Sequence, residues 1–535
     1  MARGSRATRV ATASRASIVG ATILGATFLT GCTMGPEFQA PTSSWSLTSW
    51  ITPHAKPAAY VPKPSVPVGE PVDPEWWDVF GDPQLVALER KVGTGNFDVR
   101  IATVRLAESR ASLGVARSAA FPTLNGNANY TRELESKEGV LSLLGGSSSP
   151  ATSSNGLGGT SGGIPNTGIY APFDLYQYGF DASWELDLWG RVKRDVEQAK
   201  AQVTAGEESR RDALVTAQAE VARDYIDLRG AQEQLRIARE NLKSAQDSLG
   251  LTRERAAGGL STDLDVANAA AQVESTRSEI PNLEARVASD ENAIALLLGE
   301  PPQALDAELD VPNPIPPVPP TVPVGLPSEL ARRRPDIREA EANLHAATAN
   351  IGVATADFYP KFTLSGSIAI QATEFNKLAD WGQADTYGFG PSITLPIFQG
   401  GKLTRTLELR QQQQQEAAIT YQRTVLAALH DVDNALTAYA AEQGRRESLR
   451  RAVAENRRAL ALARDQYSAG IETFLSVLDA QRTLLATEQQ LAISTATIST
   501  DLVALYKALG GGWETSYPEE PEPQAPPILR TAIEQ

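Results

Sequence analysis

The sequence predicts an α+β membrane protein with four β-strands per chain, long α-helices of coiled-coil type and two internal repeats. Three observations predict it. The chain aligns with itself over most of its length. Four segments alternate apolar and polar residues over the span a tilted membrane strand needs. Two proline-free runs, 191–258 and 402–470, carry an apolar residue every seven positions.

The self-alignment comes first because it sets the domain plan. "DVRIATVRLAESRASLGVARSAAFP" (98–122) aligns without a gap with "DIREAEANLHAATANIGVATADFYP" (336–360), matching Asp98 with Asp336, Leu106 with Leu344, Gly114 with Gly352 and Pro122 with Pro360. "GLSTDLDV" (259–266) aligns with "GIETFLSV" (470–477), and the same register pairs Gly299 with Gly510. The repeats are 83–299 and 328–510, joined by a Pro-rich crossover, 300–327. Proline fixes φ and removes donors, so this connector is expected to be an extended strap. A segment 32–82 precedes the first repeat and a tail, 511–535, follows the second.

Each repeat reads helix, strand, loop, strand, long helix, turn, helix. In 123–134 the apolar alternates include Leu124, Ala128 and Tyr130, opposed by Asn125, Asn127 and Asn129. In 175–189 they are Tyr176, Tyr178, Phe180, Trp184 and Leu186. In 361–373 they are Phe362, Leu364, Ile368 and Ile370, and in 386–398 Tyr387, Phe389, Ile393, Leu395 and Ile397. Such alternation sets one face in an apolar medium and the other in water. A half-buried soluble sheet would alternate in the same way. Four strands cannot close a membrane barrel, whose smallest members have about eight, and an open edge in lipid strands its backbone donors and acceptors. The barrel must therefore be shared: two copies would give about eight strands, three about twelve.

The long runs, 191–258 and 402–470, reach roughly 100 Å as helices. Leu214, Val221, Leu228, Leu235, Leu242 and Leu249 mark the first seam, with Ala217, Ala231, Ala238 and Ala245 three positions on. Val425, Val432, Tyr439, Val453, Leu460 and Tyr467 mark the second, interrupted at Arg446. Each run stops at glycine, Gly258-Gly259 and Gly470. Helices 260–298 and 472–509 then return the chain.

Composition narrows function. The net charge of −15 argues against nucleic acid as partner. An acidic solvated surface or a cation-favouring aqueous passage would both give it. One cysteine and three scattered histidines form no disulfide, zinc or redox site, and no triad or phosphate loop is present, so neither an enzyme nor a cofactor is expected. "GTSGG" (159–163) sits in Gly/Ser low complexity and lacks the strand–turn–helix context of a serine-hydrolase elbow. Only Met1 and Met34 are methionine, so no soft-metal path is written into the chain.

Residues 1–31 carry four arginines and then a short apolar run, 18–29, too short to span a bilayer as a helix, which takes about 20 residues. "LTGC" at 29–32 resembles a bacterial lipobox, which implies cleavage before Cys32 and acylation of its thiol. The alternative is a chance cysteine in an ordinary signal peptide.

"CTMGPEF", "ARRRPDIREAEANL", "IGVATADFYPKFTL", "SAGIETFLSVLDAQRTLL" and "KALGGGW", in that order, resemble the outer membrane lipoprotein factors of tripartite efflux systems, relatives of TolC. The resemblance implies a homotrimer with a shared 12-stranded barrel in the outer membrane and an α-helical periplasmic tunnel. It implies a periplasmic adaptor and an inner-membrane pump as partners, the adaptor meeting the turns Gly259, Leu260, Ser261, Thr262 and Gly470, Ile471, Glu472, Thr473. It implies a periplasmic gate at Asp479, with Ser476 where TolC proper has a second aspartate. Asp263 and Asp265 are the first-repeat candidates, and Asn268 stands opposite Asp479. These aspartates could equally cap helix N-termini after the turns. The loop 135–170, much longer than 373–385, is expected outside the cell.

The function so implied is a passive exit duct carrying small molecules, drugs and toxic compounds among them. The alternatives are an exit for secreted peptides, proteins or metal ions, and a coiled-coil structural lipoprotein without a channel.

Overall fold

The computed structural model describes residues 33–41, 61, 63–134, 172–325, 327–380 and 382–517. Cys32, the segment 1–31 read as a leader, the loop 135–170 with its "GTSGG" run and the end of the tail lie outside the described residues. In chain order the elements are β1 (Val66–Val68), α1 (Pro83–Gly95), α2 (Phe97–Ser118), β2 (Thr123–Glu133), β3 (Phe173–Leu186), α3 (Arg191–Ala257), α4 (Asp263–Leu297), α5 (Asp306–Leu309), β4 (Thr321–Pro323), α6 (Pro327–Arg333), α7 (Pro335–Ala356), β5 (Lys361–Ala372), β6 (Asp385–Thr394), α8 (Lys402–Ser468) and α9 (Phe474–Leu509). They divide between two compact units.

The first unit comprises Met1–Glu37, Leu113–Gln198 and Thr348–Gln411. Its centre is an antiparallel sheet in the order β2-β3-β5-β6. The register turns the alternation of each strand into rows across the sheet. Leu124, Ala182, Gly366 and Phe389 stand side by side, as do Gly126, Phe180, Ile368 and Tyr387. The intervening row is polar, running Asn125, Asp181, Ser367, Gly388. The apolar rows are not covered by this chain: Phe389 is 85% exposed, and Phe180, Ile368 and Tyr387 are exposed too. Burying such a side chain is worth about 1.5–3 kcal/mol, so the face calls for an apolar surrounding.

β2 and β6 are the outer strands, each with one unpaired edge. Pro391 lies in β6, where an edge strand tolerates a missing donor. The strand expected over 386–398 ends at Thr394. Pro396 cannot donate to a ladder, so the apolar Leu395, Ile397 and Phe398 follow outside the sheet.

The segment Thr33–Glu37 is fastened to this unit. Met34 N–H donates to the Trp189 carbonyl at 3.1 Å, and Arg194 Nε donates to the Met34 carbonyl at 3.2 Å. Gly35 has φ +91°, and a Cβ there would lie 2.5 Å from Gly352 Cα. Two glycines meet because nothing larger fits.

The second unit comprises Phe38–Ser112, Ala199–Ala347 and Gln412–Gln535. The heptad pattern predicts its core: Leu214, Val221, Leu228, Ala231, Ala238, Val432 and Tyr439 are fully or nearly fully buried. Small alanines between larger residues let the helices approach closely. Trp76, Phe80, Leu85, Leu88 and Val92 pack into the same cluster with Leu502, Tyr506 and Trp513. Asp82 caps α1, accepting from Gln84 and Leu85 N–H, and Pro83 takes the N1 position that needs no donor. On the buried face of α1, beside Leu85, Leu88 and Val92, sits Glu89, with both carboxylate oxygens unpartnered. Burial pushes its pKa well above the ordinary carboxylate value.

The Pro-rich connector is not wholly extended. It forms the one-turn α5, and β4 pairs in parallel with β1. The fully buried Arg229 of α3 anchors it, donating to the carbonyls of Leu309 (3.1 Å) and Val311 (2.9 Å). The Ser65 hydroxyl donates to Pro319 and accepts from Tyr439. Ser499 donates to the Pro316 carbonyl at 2.7 Å.

Candidate functional site

The predicted contact residues lie in two turns of the second unit, and their backbones repeat one another. After α3, Leu260 N–H donates to the Arg255 carbonyl (2.8 Å) and Gly259 N–H to Ala256 (2.9 Å); after α8, Ile471 N–H donates to Gln466 (2.9 Å) and Gly470 N–H to Tyr467 (3.0 Å). Both are Schellman closures, with Gly259 at φ +73° and Gly470 at φ +74°. The residue after the glycine commonly folds back onto its helix in this motif. Here it does not: Leu260 is 70% and Ile471 75% exposed. Leu264 and Leu475, one turn into the following helices, are exposed as well. The turns thus present four apolar side chains that a globular end would have buried.

The structure joins the turns to each other. The Ser261 and Tyr467 hydroxyls are 3.2 Å apart. Arg255 lies over the Tyr467 ring, 4.8 Å from its centroid, and donates to the Ser468 carbonyl at 2.7 Å. Tyr467 meets Phe474 edge to face. Beneath them Leu249, Val273, Leu460, Val477 and Leu478 form a cluster of their own. Side-chain bonds continue away from the turns: Gln481 donates to Ser248 (2.7 Å), Arg482 to Gln272 (2.7 Å), and Arg464 to Ser244. Sequence reading placed Tyr467 in the helix seam and did not assign it, or Arg255, to the turns. The available signal was an aromatic seam residue three positions before the glycine.

The four gate candidates differ in what holds them. Asp265 completes a capping box: its carboxylate accepts from Thr262 N–H (3.1 Å), Thr262 Oγ1 (2.9 Å) and Ser261 Oγ (3.0 Å), while Thr262 Oγ1 accepts from Asp265 N–H. Burial works to raise its pKa, and the Thr262 and Ser261 hydrogen bonds outweigh this, leaving it lowered. Ser476 holds the matching position in the second turn and donates to Glu472 at 2.9 Å; Thr473 there makes no side-chain cap. Asp263 and Asp479 are exposed, and among the described residues neither carboxylate has a hydrogen bond or ion pair. Asn268, opposite Asp479 in the repeat alignment, is partly buried. No helix among the described residues is long and apolar enough to cross a membrane.

The chain thus carries a four-stranded sheet with an uncovered apolar face and, in its other unit, long helices that end in twin glycine turns. The chain belongs to the outer membrane efflux protein family, whose description matches residues 91–300 and 326–511. It is 31% identical over 487 residues to the probable outer membrane lipoprotein SilC of Salmonella typhimurium, covering 91% of this chain and 96% of that one. It is 32% identical over 496 residues to the solvent efflux pump outer membrane protein SrpC of Pseudomonas putida, covering 91% and 97%. Among solved structures, the outer-membrane channel OprN is 32% identical with a TM-score of 0.77, covering 90% of this chain and all of that one. The protein is an outer-membrane component of an efflux system.

Proposed function

We propose that three copies of this chain form a passive exit duct, completing a twelve-stranded barrel in the outer membrane and a helical tunnel in the periplasm. The observation that carries this is the pair of open edges on β2 and β6. Unpaired backbone groups cannot remain so in lipid, and pairing β6 of one copy with β2 of the next removes every edge. The two-repeat domain plan is supported by the recurring order of helix, two strands, a 67-residue helix and a further helix. Cys32 would carry acyl chains that anchor the mature N-terminus beside the barrel.

The apolar turns 259–262 and 470–473 serve as the contact for a periplasmic adaptor, itself coupled to an inner-membrane pump. Asp479 and Asp263, unpaired among the described residues, are the side chains available to a gate. Carboxylates gathered around a symmetry axis repel one another and hold cations, which tunes opening and selectivity. Asp265 serves its own helix first. The cargo is of the small toxic-molecule class, as SrpC's solvent efflux suggests.

Planar-bilayer recording of the purified protein is the test. Cation-favouring conductance is expected, increased in Asp479→Ala. Silence of the parent and of an Asp479→Ala, Asp265→Ala double variant would sink the duct reading in favour of a structural lipoprotein.

A further inference from the structure

The ladder of β6 ends at Thr394, but its apolar alternation does not. Leu395 and Ile397 continue the phase of Tyr387, Phe389 and Ile393, and Phe398 follows. Among the described residues Ile397 and Phe398 are the most exposed large apolar side chains, at 90% and 88%. No described strand pairs with this segment, and Pro396 lacks a backbone donor. Gly400 and Gly401, at φ +59° and +83°, then turn the chain into α8 at Lys402. Lys402 is exposed and has no ion pair among the described residues.

The sheet register fixes where this segment lies. Thr394 stands opposite Lys361, and Leu186 opposite Phe362, so 395–398 leave the sheet at the end where Trp189 and Gly190 follow β3. The seat of the N-terminal segment is at the same end. Trp189 Nε1 donates to the Pro360 carbonyl at 2.8 Å, and the Trp189 carbonyl accepts from Met34 N–H. A Cβ on Gly190 would lie 2.9 Å from Thr33. All these residues belong to the first unit. Irregular backbone cannot enter hydrocarbon, because its donors and acceptors would go unmet. At the headgroup level water satisfies them while apolar side chains reach the acyl region.

We propose that 395–398 is an interfacial membrane anchor, with Ile397 and Phe398 inserted into a phospholipid leaflet and Lys402 at the level of its phosphates. The inference rests on reading the sheet as part of a lipid-embedded barrel. The phase of the segment favours lipid over a second copy as its occupant. Ile397 extends the apolar face of β6, and a strand added at the β6 edge leaves that face open. A lysine beside an inserted apolar pair suits the anionic surface of a membrane. The leaflet is the one that an acyl group on Cys32 would enter, since Thr33 is seated at the same end of the sheet.

Spin labels on introduced cysteines test the anchor in the full-length protein, reconstituted in vesicles of phosphatidylethanolamine and phosphatidylglycerol. A Cys32→Ser background leaves no native thiol. A label at Phe398→Cys, or at Ile397→Cys should the first variant not assemble, is expected to collide several-fold more with oxygen, which dissolves in lipid, than with nickel-EDDA, which stays in water. Phe389→Cys, on the sheet face, reads the barrel itself. Preference for nickel-EDDA at 397 or 398 overturns the anchor. Little collision with either reagent there also overturns it, because protein, a second copy, then covers the segment. Either result beside a lipid-exposed label at 389 leaves the barrel standing. A water-exposed label at 389 removes the barrel and the anchor together.

Discussion

The hydroxyl of Tyr467 lies 3.2 Å from the hydroxyl of Ser261, a contact that ties the turn after α3 to the turn after α8. Each turn alone is a glycine stop of two or three hydrogen bonds. Together with Arg255 they form one end piece. Tyr467→Phe removes only the hydroxyl link and should cost about 0.5–1.5 kcal/mol locally. The expected readout is faster amide exchange at 258–262 and 468–472 with the rest of α3 and α8 unchanged. Unaltered exchange there would show that the ring, not the hydroxyl, holds the turns.

The two turns differ at one matched position. Asp265 closes a capping box and Ser476 does not. Ser476→Asp should let the carboxylate accept from Thr473 N–H and stabilise the start of α9 by about 0.5–1 kcal/mol, less whatever Glu472 repels. Slower exchange over 473–477 is the measurement.

The cap at Asp265 carries a pH signature. A carboxylate whose folded pKa is depressed contributes stability above its unfolded value, and that contribution is lost as pH falls through the folded value. Asp265 is of this kind. The start of α4 should loosen below about pH 4, and Asp265→Asn should show the loosened state at neutral pH.

Glu89 has the opposite sign. Its raised folded pKa means stability that is complete below the unfolded value and lost as pH rises through the folded one. Asp501, pushed up to about 6 by burial and then by Glu442, adds to the same trend. Glu89→Gln should raise the thermal midpoint at pH 8 by an amount equivalent to about 1–3 kcal/mol and have little effect near pH 4. A pH-independent effect would mean that packing, not charge, is what changed.

Much of this was legible in the sequence. The seam leucines and valines are buried where the seven-residue period puts them, Leu242 only partly, and the strand alternates line up across four strands, because both follow from backbone periods. The end of β6 was not, since apolar alternation continues through Leu395 and Ile397 while Pro396 breaks the ladder. Ser261 and Tyr467 are brought together only by the packing of helices distant in sequence, which no local pattern encodes. The capping box is visible as Thr262-x-x-Asp265, so the gate reading of Asp265 had a local competitor from the start. Glu89 is four residues after Leu85, on the apolar face of α1, and that spacing was the signal for a buried acid.

Gly352→Ala would place a Cβ 2.8 Å from Cγ of Arg194, the side chain that donates to the Met34 carbonyl. It should cost about 1–3 kcal/mol as an overpacked contact. Protease release of the N-terminal segment, with the sheet intact, is the expected result.

The meeting of Gly35 with Gly352 also sets an order of events. In a chain exported N-terminus first, residues 33–37 would reach the periplasm long before their partner is translocated. Their seat does not exist until more than half of the polypeptide has followed, and contacts of such sequence separation form late. In the interval an acyl group on Cys32 would hold the leading end at a membrane surface while the trailing repeat catches up. Such a lipid would act as a mooring during biogenesis, and Cys32→Ser would then slow maturation more than it weakens the finished protein.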